Sequence, residues 1–133
     1  KDIKMKKIKL SLFILGTLVS SFSFANEISP DFLKKEIEFA HSQYLKGSPE
    51  SGLYALEALA RILESDNSTF LLSEVGPNNL SFTYLRIGLL HEKSGDLSKA
   101  NSYFNKAINS HKDEKVEISQ LKYVVASLDE MRS

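Results

Sequence analysis

Residues 81–110 read SFTYLRIGLLHEKSGDLSKANSYFNKAINS, and this stretch decides the fold. Tyr84, Leu85, Ile87, Leu89 and Leu90 recur at the three- and four-residue steps of a helix running from about Ser81 to Lys93. Gly95-Asp96 breaks it, and Asp96 is a suitable cap for a second helix carrying Leu97, Ala100, Tyr103, Phe104, Ala107 and Ile108. Gly88 and Ala100 have almost no side chain, so the two helices can approach closely there. Phe104 then has the bulk to fill the space between them. The stretch is therefore expected to form a tight helical hairpin.

The same logic extends outward. Ser29-Pro30-Asp31 has a capping side chain, a proline suited to the first helical position and an acid at the positive helix end. Phe32, Leu33, Ile37, Phe39, Ala40 and Tyr44 follow at helical steps, and Gly47 is expected to stop this first helix. Ser48-Pro49-Glu50 repeats the start signal. Leu53, Leu56, Leu59, Ala60, Ile62 and Leu63 give a second helix that ends near Ser65-Asp66-Asn67. Residues 66–80 read as a loop, with an apolar knot at Phe70-Leu71-Leu72 and a turn cluster at Gly76-Pro77-Asn78-Asn79. Asn109 to Lys115 is a polar turn. A last helix is expected to hold Val116, Ile118, Leu121, Val124, Val125, Leu128 and Met131. No segment alternates with period two, and prolines and glycines fall mostly between the helices. The fold class is all-α, built of antiparallel helix-turn-helix units.

The N-terminus carries a different signal. Met5 is a plausible true start, since Lys6, Lys7 and Lys9 then form a basic region before the apolar run Leu10 to Val19. Ser23 and Ala25 are small residues two apart, so residues 1–25 read as a secretory signal peptide cut between Ala25 and Asn26. The uncharged run Leu10 to Asn26 is 17 residues and is diluted by serines. A membrane-spanning helix needs about 20 mostly apolar residues. An uncleaved N-terminal anchor is the alternative. The expected location is the periplasm or the exterior of a bacterial cell, with no membrane span once the signal is removed. The domain that remains, 26–133, has 108 residues.

Composition narrows the function classes. The full chain holds 17 basic and 17 acidic residues. Residues 1–25 contain five lysines and one aspartate, so the remainder keeps 12 basic and 16 acidic residues and a formal charge of −4. A mildly acidic body is a poor match for phosphate backbones, which disfavours nucleic acid as a partner. There is no cysteine, which excludes disulfides, thiol catalysis and thiolate zinc sites. His91-Glu92 begins like a His-Glu-x-x-His zinc motif, but residue 95 is glycine. His41 and His111 have no ligand spacing either, so no metal is expected. The six glycines are scattered singly, so no phosphate loop forms, and no Gly-x-Ser-x-Gly elbow occurs. No enzymatic activity and no cofactor are expected.

Residues 81–114 resemble a tetratricopeptide repeat, a unit of about 34 residues with a sparse apolar pattern. Tyr84 stands at the bulky aromatic position, Ile87-Gly88 at the Leu-Gly pair, and Gly95 at the inter-helix turn. Ala100, Phe104 and Ala107 reproduce the second-helix run of small, aromatic, small. His91 replaces a common tyrosine and Lys112 the closing proline. Residues 29–65 are similar in a degenerate way. There Phe39-Ala40 stands for the Leu-Gly pair, and Ala55, Leu59 and Ile62 for the second-helix run. The longer turn around Gly47 to Ser51 also resembles Sel1-like repeats. Residues 115–131 resemble the solvating cap that closes such arrays, giving about two repeats and a cap.

The resemblance implies a groove lined by the first helix of each pair. By position it presents Lys34, Ile37, His41 and Tyr44, then Phe82, Leu85, Leu89, Glu92 and Lys93. Such a mixture of aromatic, apolar and charged side chains suits a helical or extended peptide. The lysine, arginine and asparagine set of the family's terminal-carboxylate clamp is not visible. The expected role is a non-enzymatic interaction module, an adaptor, assembly or accessory factor of the envelope, with a protein or peptide partner. Stacked repeats usually need about three units for stability, so either the cap helix and the Phe70 region complete the core or two chains pair as a homo-oligomer. The alternatives are an immunity or inhibitor protein against a secreted toxin or enzyme and, more remotely, a cell-wall binder or hydrolase.

Overall fold

The computed structural model describes residues 28–65, 78–111 and 115–133. The signal-peptide reading with its Ala25–Asn26 cut, the Phe70–Leu72 knot and Lys112 lie outside the described residues. Among those described there are five α-helices and no strand. They are α1 (Pro30–Lys46), α2 (Pro49–Ser65), α3 (Leu80–Lys93), α4 (Leu97–Ser110) and α5 (Ile118–Arg132). The chain is all-α, with neighbouring helices packed on one another: α1 on α2, α2 on α3, α3 on α4, and α5 on α3.

The start and stop signals act where the residues place them. Ser29 Oγ accepts the Phe32 amide at 3.2 Å, and Ser48 Oγ accepts the Ser51 amide at 3.2 Å. Gly47 does end α1, although its backbone is extended rather than left-handed. What excludes a side chain there is space, since a β-carbon would lie 2.6 Å from the Gln43 carbonyl oxygen. Gly95 is the left-handed turn residue, at φ 84°. The Asp96 amide donates to the His91 carbonyl at 2.9 Å and the Gly95 amide to that of Glu92 at 3.1 Å, a paired termination that satisfies the last carbonyls of α3. Asp96 Oδ1 then accepts the Lys99 amide at 3.1 Å and opens α4.

Two helix starts differ from expectation by one or two residues. Leu80 belongs to α3 rather than to the loop, because the Asn79 side chain caps the helix by accepting the Phe82 amide at 2.8 Å. Val116 precedes α5, which begins after Glu117; there the Glu117 amide donates to Gln120 Oε1 at 2.9 Å.

The core runs through Leu33, Ala40, Leu56, Leu59, Leu63, Leu85, Ile87, Leu90, Phe104, Ala107, Leu121 and Val125. At its centre a β-carbon added to Gly88 would sit 2.5 Å from the Phe104 ring and 3.2 Å from the Ala100 carbonyl oxygen. The hairpin of 81–110 thus closes through the close approach its small residues allow. Ser81 Oγ adds a buried bond to the Ala107 carbonyl at 2.6 Å. Some expected apolar positions face water instead. Phe32, Phe39, Val124 and Met131 are exposed. The buried stripe of α1 is Leu33 and Ala40 with Ile37 and Tyr44 partly covered, and residues 32 and 39 are rotated about 100° from it. In α5 the inward stripe is Leu121, Val125 and Asp129, four residues apart, which leaves Val124 and Met131 on the far side.

Candidate functional site

The face formed by α1 and α3 is the groove expected to receive a partner. In the structure, α5 lies across it. Three contacts fix its direction: Lys122 Nζ donates to Glu92 Oε2 at 2.9 Å, Arg86 Nη2 to Asp129 Oδ1 at 2.8 Å, and Arg132 Nη1 to Asn78 Oδ1 at 3.1 Å. Residue numbers rise on α5 as they fall on α3, so the two helices are antiparallel. His41 of α1 lies 3.3 Å from the same Asp129 Oδ1, so α5 reaches past α3 to the first helix of the chain. The helix read as a cap on the last pair lies over the groove.

The centre of this seat is charged and buried. Arg86 is 1% exposed and Asp129 8%. Arg86 Nε also donates to Asp129 Oδ2 at 3.3 Å, so the guanidinium and carboxylate meet through two bonds, the geometry arginine offers and lysine does not. His41 Nε2 completes the set, donating to Asp129 in the tautomer that carries its proton there. Burial holds His41 below its ordinary pKa. The bond His41 donates to Asp129 opposes that, and the positive charges of Arg86 and Arg132 reinforce the lowering. Burial thus favours the neutral ring. Tyr44 faces the same cluster, and its phenol is pushed up by burial and by the Asp129 charge, with Arg86 working against both.

The expected groove residues separate into groups. His41 and Tyr44 belong to the Asp129 cluster, and Glu92 pairs with α5 at the rim. Leu85 is wholly buried and Leu89 partly so. Lys34 and Ile37 line a cleft of about 390 Å³ with Leu33, Asn78 and Arg132, where α1, the start of α3 and the end of α5 converge. Phe82 instead turns toward the end of α4, its ring 6.3 Å from that of His111. Lys93 is exposed at the end of α3.

Arg86, Asp129, Asn78, Lys122 and Arg132 were not among the expected site residues. A signal for the first two is present in the sequence. Arg86 interrupts the apolar run Tyr84-Leu85-Ile87, and Asp129 continues the four-residue step of Leu121 and Val125. A single charge on each of two buried stripes marks a buried pair, since an isolated buried charge is too costly to keep.

On the opposite side, α2, α3 and α4 form an aromatic cluster. The Tyr84 hydroxyl donates to Glu64, and the Tyr84 phenol is raised by burial and by that carboxylate. Tyr103 lies 6.2 Å from Tyr84, and His91 stacks on Tyr103 at 5.6 Å. Lys106 Nζ stands 5.0 Å from the Tyr103 ring centroid and 5.6 Å from that of Tyr84. These groups tie the two helix pairs together.

Among the described residues, no three histidine or acidic side chains are grouped to hold a metal ion, and no helix is long and apolar enough to cross a membrane. Comparison with protein-family models, curated proteins and solved structures returned no match.

Proposed function

We propose that this chain is an exported, non-enzymatic interaction module of the tetratricopeptide-like class, which holds a segment of a partner protein in the α1–α3 groove. The observation that carries this reading is the seat of α5. The groove accepts a helix through aliphatic side chains, a buried ion pair and a polar rim, the combination that helix-in-groove recognition uses. Lys34 lines the cleft beside that seat and Lys93 ends α3, and both are exposed and available for steering an acidic partner. The N-terminal segment supports export, and the acidic body argues against a nucleic-acid partner. In this reading the protein is an adaptor, assembly or accessory factor in the bacterial envelope.

The test is a crosslinked pull-down from the native envelope, with mass spectrometry of what is retained. Charge reversal at Lys34 or Lys93 should reduce the yield while circular dichroism stays unchanged. Equal yield from the unaltered and reversed chains would remove the groove from the reading. Location is checked separately, by fractionation of cells and N-terminal sequencing of the mature chain for a start at Asn26.

A further inference from the structure

We infer that α5 is a built-in ligand of the α1–α3 groove and that its chemistry specifies the partner: an amphipathic helix bearing two aliphatic side chains four residues apart and a carboxylate four residues further on. This inference rests on the groove reading above and names the ligand class of that groove.

The wholly covered apolar side chains of α5 are Leu121 at 1% and Val125 at 0% exposure, and Asp129 continues the same stripe. Ile118 is partly buried against the core at the start of the helix, Lys122 Nζ lies 4.6 Å from the Phe104 ring centroid, and the remaining contacts lie at the rim. The Lys122–Glu92 pair is open to solvent, and such pairs hold little. The outer face of the helix exposes Tyr123, Val124 and Met131, so no described residue clamps α5 from outside. It is a helix laid on a surface, and its docking competes only at the effective concentration that a tether provides.

The groove side explains why the third anchor must be an acid. Arg86 is fixed inside the protein by α3 and presents two N–H groups toward the position that Asp129 occupies. His41 presents a third donor from α1 to the same oxygen. A carboxylate satisfies all three at once; an amide has only one acceptor oxygen, and an apolar side chain has none. Discrimination at this point is therefore strong, because the penalty falls on donors already removed from water. The two covered aliphatic positions set the spacing, and the arginine sets the charge.

The test uses the full chain and a fluorescein-labelled peptide of residues 116–133, followed by fluorescence anisotropy. The peptide should bind the unaltered chain weakly, because α5 competes. It should bind the Asp129→Asn chain at least about tenfold more tightly, the scale of one lost charge-assisted hydrogen bond in the tethered helix. A peptide carrying the same Asp→Asn change should lose affinity for both chains by a similar factor. The peptide variants decide the matter even if the altered chain folds poorly. Absence of binding to either chain, or equal binding of the Asp and Asn peptides, would overturn the inference. Self-association of the chain that the peptide abolishes would support the groove and identify α5 of a second copy as the trans ligand. An envelope partner retained undiminished in excess peptide would overturn this ligand assignment while leaving the interaction reading in place. Peptide binding without any retained partner would do the reverse.

Discussion

Helix α3 packs against α2, α4 and α5, and the seats of α4 and α5 on it are built differently. The α4 seat is neutral and close: Gly88 admits the Phe104 ring, Ala100 and Ala107 are buried, and a three-residue turn at Ser94–Asp96 joins the helices. The α5 seat is thinner, with two aliphatic anchors around a buried Arg86–Asp129 pair. Close neutral packing gains dispersion and apolar burial with no desolvated charge to offset. A buried ion pair gives little net stability, yet it penalises any occupant without the right charge. The first seat makes the hairpin fold. The second decides what lies on it.

The largest break in this comparison should come from Phe104→Ala. It empties the α4 seat and should cost about 3–5 kcal/mol in urea unfolding followed by circular dichroism. Gly88→Val attacks the same seat from the other side. Its branched side chain must displace the Phe104 ring, for a loss of about 1–3 kcal/mol. Gly52 offers the matched control. A β-carbon there meets the flexible end of Leu90 at 3.1 Å, so Gly52→Ala should be close to neutral, the contact offsetting the gain in helix propensity of about 1 kcal/mol.

Asp129→Asn should behave differently from both α4-seat variants. A broken buried pair costs about 3–5 kcal/mol when its surroundings are locked. With α5 docked as inferred above, it should lift into water in this variant, so the loss of global stability should be smaller and the opening confined to α5.

A pH titration sharpens the same point. His41 is held below its ordinary value chiefly by burial. On acidification the unfolded chain therefore takes up the proton first, near pH ~6.5. Stability should be full above that value and fall as pH drops through it toward the lower folded pKa. The groups facing His41 are Asp129, Arg86 and Arg132. A drop in the thermal midpoint between about pH 7.5 and about pH 5.5 is expected, with a shallower slope in His41→Gln. Among the α5-seat variants the smallest effect belongs to Lys122→Ala. Its pair with Glu92 is exposed and its Nζ lies 4.6 Å from the Phe104 ring centroid, so the change should cost about 1 kcal/mol.

The sequence made the helices readable because their signals are local. Ser29-Pro30, Ser48-Pro49 and Gly95-Asp96 act within a few residues of themselves, and the Gly88–Phe104 contact follows from hairpin closure. The groove residues His41 and Glu92 were also readable as positions on first helices. Their occupants were not. The Arg86–Asp129 pair joins residues 43 apart, and its formation depends on how α5 crosses α3, which no helical period encodes. The same limit explains Phe32 and Phe39. Both fit a three- and four-residue pattern, and only the packing of α1 on α2 shows which of two overlapping stripes is buried.

The most direct measurement is native-state hydrogen exchange of the amides from Lys122 to Asp129 against those from Ala100 to Ala107. The account predicts that the α5 amides exchange through an opening of lower free energy than the α4 amides, and that Asp129→Asn speeds α5 while leaving α4 unchanged. Equal protection of the two helices, lost together in Asp129→Asn, would contradict it.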